Sequence, residues 1–426
     1  MEKQVIYICT FFIFVIVLQP IIGLLLFNLI ENNLIINYFP LIKDFMIFSI
    51  FGLMLLYVGF TLKIKREYLR VYIYFSLLLF FIAVSFFYSE ANFYFKIYNI
   101  RRILILYLIF FSFHGLYQTN NFRVVKKVVL IITLSICVFG MIEYFLPDIF
   151  WNDWLNLPNY WNNDTQGGIE IKGLKETGRG YTSDLYFLFH EKYRRMLSFF
   201  LEPSTLGSYF SYIFAFYYFS KKFKYKKYFL TLVFICGLMV FSKIFILSII
   251  LILAIDILKF NLKLSFILMT PLFIYLGYLM TEGERVHGSF SHIIGVYTGF
   301  EVAINDILGR GVGMAGNRPM NPTTNIVNGM NGAESGFGNV LAQMGLSGII
   351  ISIILYYIMS RAYLIYKQTN NSDYYGLAIM ILVYYLNYNL SASSLALTGN
   401  FIVFTLAGIY LNKNILMTNK NANSIF

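Results

Sequence analysis

Carboxylates and guanidinium groups placed together at the edge of an apolar segment can bind anions and move protons. Two stretches of this 426-residue chain have that make-up. The first carries Arg194 and Arg195, then Glu202-Pro203-Ser204, and runs directly into an apolar segment. A carboxylate at a membrane boundary is costly unless it is paired or functional. Pro203 disfavours helix at the residue before it and suits a first helical position. A helix is therefore expected to start near Pro203, with its N-terminal dipole, Ser204 and the two arginines forming an anion site. The alternative is an Arg–Glu pair that only pins the loop.

The second stretch centres on Gly309-Arg310-Gly311-Val312-Gly313, followed by Gly316 and Arg318, and closes with Ala333-Glu334-Ser335-Gly336. Residues 299–348 hold 11 of the 30 glycines. Successive N–H groups in such a run can form an anion-binding nest, with Gly311 and Gly313 supplying the turn and Arg310 the charge. A glycine run equally describes a mobile loop. Glu334 is the foremost candidate general base, because a carboxylate in apolar surroundings takes a proton more readily. Its alternative is a pair with Arg285 or Arg310. Upstream lie His287 and His292, which read first as interfacial residues. Arg101 and Arg102 either snorkel to the interface or turn toward the same site. Glu143 and Lys243 complete a rim of charge.

These groups must be positioned by a membrane fold. The chain is 58% hydrophobic, 19% aromatic and 13% charged, against about 25% charged in soluble domains. With 45 Phe and 35 Tyr, this excludes a soluble globular enzyme and a disordered chain. Three cysteines, Cys9, Cys137 and Cys236, each lie in an apolar run and read as reduced core residues, not a disulfide scaffold. No His/Cys/Asp cluster has metal-ligand spacing, and no nucleophile elbow or phosphate-binding loop is present, so no metal and no cofactor is expected.

A bilayer core about 30 Å thick needs roughly 20 apolar helical residues. That ruler places spans at 5–27, 41–62, 71–88, 103–119, 128–146, 199–220, 228–241, 243–258, 264–281, 339–360, 374–390 and 395–411. The expected fold class is all-α, one polytopic membrane domain over 1–426 with about 12 transmembrane helices. The first segment is too long, and lacks the small-residue site, for a cleaved signal peptide. Nineteen of the 33 Lys and Arg fall in the short connections that lie on one side if the N-terminus is cytoplasmic. Both termini are therefore expected inside. This accounts for the net charge of +12 without a nucleic-acid partner. The parity depends on 228–258, broken at Ser242-Lys243 into two short spans or a re-entrant hairpin. Two large loops, 147–198 and 282–338, then face outward. The first carries Trp151, Trp154 and Trp161, read either as an interfacial belt or as sugar contacts. Asn387, Asn389 and Asn400 read as interhelical glue.

The Arg-x-x-Ser-Phe-Phe-x-Glu-Pro-Ser-x-x-Gly stretch at 195–207 resembles the segment before a central span in bacterial surface-polysaccharide polymerases of the O-antigen polymerase (Wzy) type. Phe241-Ser242-Lys243 resembles their Ser-Arg helix break, with Lys for Arg. Leu308–Gly313, Ala333-Glu334-Ser335 and Gly345-Leu346-Ser347-Gly348 resemble the second outer loop and next span of the wider O-antigen polymerase and ligase superfamily. The likeness covers roughly 195–350.

It implies a glycosyltransferase of the cytoplasmic membrane with its site facing outward. The glycan on undecaprenyl diphosphate would be donor, and a lipid-linked repeat unit acceptor. A flippase and a chain-length regulator would be protein partners. Arg195 and Arg310, with Arg194 and Arg285, would stabilise the leaving diphosphate, and Glu334 or Glu202 would serve as base. Ligases of that superfamily carry His-Asn where this sequence has Glu334-Ser335, which favours polymerase over ligase. A transporter or flippase of lipid-linked sugars is the third reading. It predicts charges deep in the spans and matching broken helices in two halves, neither of which the sequence displays.

Overall fold

The computed structural model describes residues 2–30, 42, 44–54, 69–116, 122–164, 181–182, 193–221, 223–282, 291–316, 332 and 334–411. These residues are overwhelmingly helical. The strand pairing among them is a two-residue antiparallel ladder, Tyr181–Thr182 with Tyr193–Arg194. In chain order the helices are α1 (Glu2–Ile30), α2 (Asp44–Met54), α3 (Leu69–Tyr88), α4 (Phe93–Leu116) and α5 (Phe122–Phe145). They continue as α6 (Leu157–Asp164), α7 (Pro203–Phe219), α8 (Lys226–Met239), α9 (Lys243–Leu258) and α10 (Leu262–Glu282). The last are α11 (Ser291–Asn305), α12 (Gly336–Met344), α13 (Ile349–Thr369), α14 (Ser372–Leu390) and α15 (Leu397–Leu411).

Each of the twelve apolar segments overlaps a helix, but among the described residues six helical stretches are long and apolar enough to cross a membrane. They are Thr10–Leu29, Leu69–Tyr88, Phe93–His114, Val124–Phe145, Leu262–Thr281 and Gly336–Thr369. The expected break in 228–258 is present: α8 ends at Met239, Phe241 takes a left-handed φ of 49°, and α9 starts at Lys243. The stretch 147–198, read as a loop, contains a π-helical turn, Phe150–Trp154, and α6. The stretch 282–338 likewise contains α11.

Helix α14 is hydrophobic all round and buried along nearly its whole length, as a central core helix must be. It packs on α7 and α13, while α15 packs on α4. The outer helices α3, α9 and α10 carry Phe80, Ile250 and Leu272 on their exposed faces. Apolar groups on the outside as well as the inside suit lipid better than water.

Polar side chains fasten the core. Tyr212 of α7 donates to Asn400 Oδ1 at 2.6 Å, and Asn387 donates to Ser208 Oγ at 3.1 Å. Thr270 donates to Asn389 Oδ1 at 2.8 Å. The three asparagines thus join helices, as expected for buried amides in an apolar bundle.

The second half of the chain contains a broken helix. Helix α12 stops after nine residues at Gly345, and a 3-10 turn, Gly345–Gly348, links it to α13. A helix end leaves carbonyls without intrahelical partners. Here Arg310 N–H donates to Ala342 O at 2.9 Å and Gly311 N–H to Gln343 O at 3.1 Å. Gly311 has φ +89°, and a Cβ there would lie 2.6 Å from Ser89 Cα. The glycine-rich run is therefore pressed between α12 and the α3–α4 turn.

Helix α11 approaches α12 through Gly295-x-x-x-Gly299. A Cβ on Gly299 would lie 2.4 Å from Gly338 Cα, and a Cβ on Gly338 would lie 2.0 Å from Gly295 O. Small residues at this spacing let two helix backbones nearly touch.

Candidate functional site

A cavity of about 450 Å³ opens where four helix connections meet. Helix α4 contributes Tyr98, Arg101 and Arg102, and the start of α7 contributes Glu202 and Ser204. His292 comes from α11, Glu334 from the turn before α12, and residues 391–398 from the α14–α15 connection. Polar groups at the opposite helix ends form their own cluster, in which Lys126 Nζ meets Asp373 Oδ1 at 3.0 Å and Lys226 Nζ donates to Ser220 O at 2.8 Å.

Helix α7 begins at Pro203, as the sequence predicts, with Glu202 extended at φ −129°. Pro has no N–H to lose at that position, and its fixed φ suits a helix start. Ser204 Oγ donates to Glu202 Oε1 at 2.6 Å, and Thr205 Oγ1 donates to Oε2 at 2.5 Å. Both oxygens are thereby held by the first helical turn, with lone pairs remaining for a ligand.

Glu334 has φ +71°, a left-handed conformation that is rare for a residue with a side chain. Its carbonyl accepts from Ala392 N–H at 3.0 Å, and Ser335 Oγ donates to Asn389 O at 2.7 Å. Ser335 also caps α12, accepting from Gly338 N at 3.0 Å. Arg102 Nη2 donates to Ala392 O at 3.2 Å, so Arg102 and Glu334 grip the same peptide segment from two sides. His292 Nδ1 lies 3.0 Å from Glu334 O and 3.5 Å from Glu334 Oε2. Local strain held by so many surrounding contacts is typical of functional sites.

Arg101 Nη1 meets Asp44 Oδ2 at 3.2 Å. The guanidinium carbons of Arg101 and Arg102 stand 5.6 and 5.8 Å from the Tyr98 ring. Of the two readings of this Arg pair, the turn toward the site is the one observed.

The other arginines singled out in the sequence go elsewhere. Arg194 pairs with Asp148 Oδ1 at 3.0 Å and donates to Leu146 O, so it pins the start of the first outer stretch. Arg195 Nε donates to Val240 O at 3.0 Å, next to a Met196 N–H bond to Met239 O at 3.1 Å. These two bonds cap the carbonyl end of α8, as basic side chains near helix C-termini do. The nest at Gly309–Gly313 is also corrected. Besides the amides that cap α12, Gly313 N–H donates to Gln343 Oε1 at 2.9 Å. With those N–H groups already bonded, Gly311 and Gly313 shape a helix cap and leave no row of donors for an anion. The Arg310 side chain is exposed and does not line the cavity.

Trp151 is fully buried, and its Nε1 donates to Glu143 Oε2 at 2.8 Å, so it offers no face to a sugar. Glu143 Oε1 also accepts from Leu197 N at 2.7 Å and Ser198 N at 3.2 Å. This buried carboxylate ties the segment before Glu202 to α5. Trp154 is exposed and remains available for an interface or a sugar. Arg285 and His287 lie outside the described residues, as does the side chain of Trp161.

Sequence reasoning weighed Arg101, Arg102 and His292 without bringing them together. The signal available for His292 was Gly295-x-x-x-Gly299 one turn later, which brings α11 against α12.

Fold and cavity define an all-helical protein of multi-pass membrane character with a polar site built from two carboxylates, two guanidinium groups and an imidazole. No protein-family model, no curated protein and no solved structure matches the chain.

Proposed function

We propose that this chain is a membrane glycosyltransferase. It joins undecaprenyl-diphosphate-linked oligosaccharide repeat units into a long surface polysaccharide, on the outer face of the bacterial cytoplasmic membrane. The observation that carries this reading is the convergence of Glu202, Glu334, Arg101 and Arg102 on one cavity at the end of an apolar bundle. The resemblance at 195–207 and 333–335 falls on two of the elements that build it.

In the reaction, a hydroxyl of the acceptor repeat attacks the anomeric carbon of the donor glycan. The new C–O bond forms as the bond from that carbon to the diphosphate oxygen breaks, and the diphosphate leaves with the electron pair. Arg101 and Arg102 provide positive charge for the departing diphosphate. The acceptor proton passes to the basic side of the cavity, where Glu334 stands, while Glu202 and the Ser391–Thr398 segment hold sugar hydroxyls. About 12 spans with both termini inside fit this geometry, because the cavity residues come from connections assigned outward or from the adjoining ends of the spans.

A deletion strain of the producing bacterium tests the reading. Surface glycan capped at a single repeat, restored to a ladder by the intact gene, is the expected result. Loss of all surface glycan points instead to flipping or ligation.

A further inference from the structure

His292 and Glu334 meet at the wall of the cavity. His292 Nδ1 faces two oxygens of Glu334, the carbonyl at 3.0 Å and carboxylate Oε2 at 3.5 Å. A carbonyl oxygen can only accept, and so can an ionised carboxylate. Nδ1 must therefore carry a hydrogen, and the neutral ring has its lone pair on Nε2. The hydrogen bond made by one ring nitrogen in this way fixes the chemistry of the other. His292 lines the same cavity as Glu202 and Arg102.

Three features hold the pair in register. Helix α11 is pressed on α12 at Gly299 and Gly338. Glu334 is kept at φ +71° by the Ala392 bond to its carbonyl. Ser335, the next residue, is bonded to the last turn of α14 through Asn389 O at 2.7 Å. A base held in orientation by a hydrogen-bonded acidic group is the recurring arrangement for activating a hydroxyl.

We propose that His292 Nε2 is the immediate acceptor of the hydroxyl proton and that Glu334 is its positioning partner. This rests on the glycosyltransferase reading and changes the role of Glu334 within it. As the acceptor oxygen bonds to the anomeric carbon, its proton moves to Nε2. The resulting imidazolium keeps its Nδ1–H on Glu334, whose carboxylate offsets the new charge. The bond to the diphosphate breaks with its electron pair on oxygen, and the imidazolium then releases its proton to water.

The test compares His292→Gln with Glu334→Gln in the deletion strain, with membrane levels checked by immunoblot and chain length read from the glycan ladder. Gln at 292 can still donate to Glu334 but cannot take a proton near neutral pH. The expected loss of polymerisation is about 100-fold or more for His292→Gln, the range of general-base contributions, and clearly smaller for Glu334→Gln. An equal or larger loss in Glu334→Gln, or wild-type ladders in His292→Gln, overturns the assignment. If the Gln variant fails to accumulate, His292→Ala membranes loaded with the strain's own lipid-linked repeats are assayed with added imidazole. Restored polymerisation supports the assignment, and none overturns it. Failure of the glycosyltransferase reading looks different, because the deletion strain itself then lacks the single-repeat phenotype.

Discussion

Glu202 and Glu334, carried by the start of α7 and the turn before α12, line one cavity although much of the chain separates them. Arg194, close to Glu202 in sequence, bonds Asp148 and Leu146 O, Arg195 bonds Val240 O, and the arginines that line the cavity come from α4.

Arg101→Gln and Arg102→Gln are each expected to cut polymerisation at least about tenfold while the protein stays in the membrane. Arg102→Gln should be the more severe, because that guanidinium also holds Ala392 O. Glycan ladders from membranes matched for protein level give the comparison. Normal chain lengths in both variants would remove the pair from the site.

Arg194→Ala should leave the ladder unchanged. It removes a half-exposed ion pair with Asp148, worth about 0–1 kcal/mol in such settings. Strong loss of polymerisation with full membrane levels would return Arg194 to the site.

Arg310→Ala and Gly311→Ala are expected to part company. The exposed Arg310 side chain can be lost with little effect, since its backbone N–H still caps Ala342 O. A methyl at 311 meets Ser89 at 2.6 Å on a backbone with φ +89°, and overpacking of this kind costs about 1–3 kcal/mol. Thermal unfolding in detergent reads the difference, and the opposite order would revive the anion nest.

Gly299→Leu should separate α11 from α12, since even a Cβ would lie 2.4 Å from Gly338 Cα. The expected outcome is a lower melting temperature and loss of polymerisation together, because His292 is carried away from Glu334. A stable, active variant would show that this close approach is not needed.

Glu143→Leu leaves Trp151 Nε1 and the N–H groups of Leu197 and Ser198 without their acceptor. Each buried donor left unpaired costs about 1–3 kcal/mol, so the variant should accumulate poorly. Glu143→Gln keeps one oxygen and should be milder. Equal melting temperatures for both variants and the parent would deny the tether a structural role.

Much of the bundle was legible in the residues alone. Apolar runs of bilayer length, Pro203 at a first helical position and Ser242-Lys243 between two short runs each fix structure locally, through hydrophobic burial and backbone sterics. The helix start at Pro203 and the break at Ser242-Lys243 appear where expected, while six of the described helical stretches, not twelve, reach bilayer length. The helices inside 147–198 and 282–338 were not legible, because α6 is short and polar and α11, at 15 residues with Glu301 inside it, falls short of a bilayer span. Which of several basic residues would meet Glu202 and Glu334 was not legible either. Ion pairing depends on distance in space: the side chains of Arg194 and Arg195 bond Asp148 and Val240 O, and that of Arg310 is exposed.

By itself, the sequence determined that the chain buries its apolar surface in helices, where those helices start and break, and that its polar groups gather at the ends. Composition and local stereochemistry act without reference to distant residues. Only the tertiary structure decided that Tyr98, Arg101 and Arg102 join Glu202, His292 and Glu334, and that the glycine-rich run caps α12. Those outcomes depend on which helices touch. That is set by close approaches such as Gly299 on Gly338 and by buried bonds such as Tyr212 to Asn400, which join residues far apart in the chain.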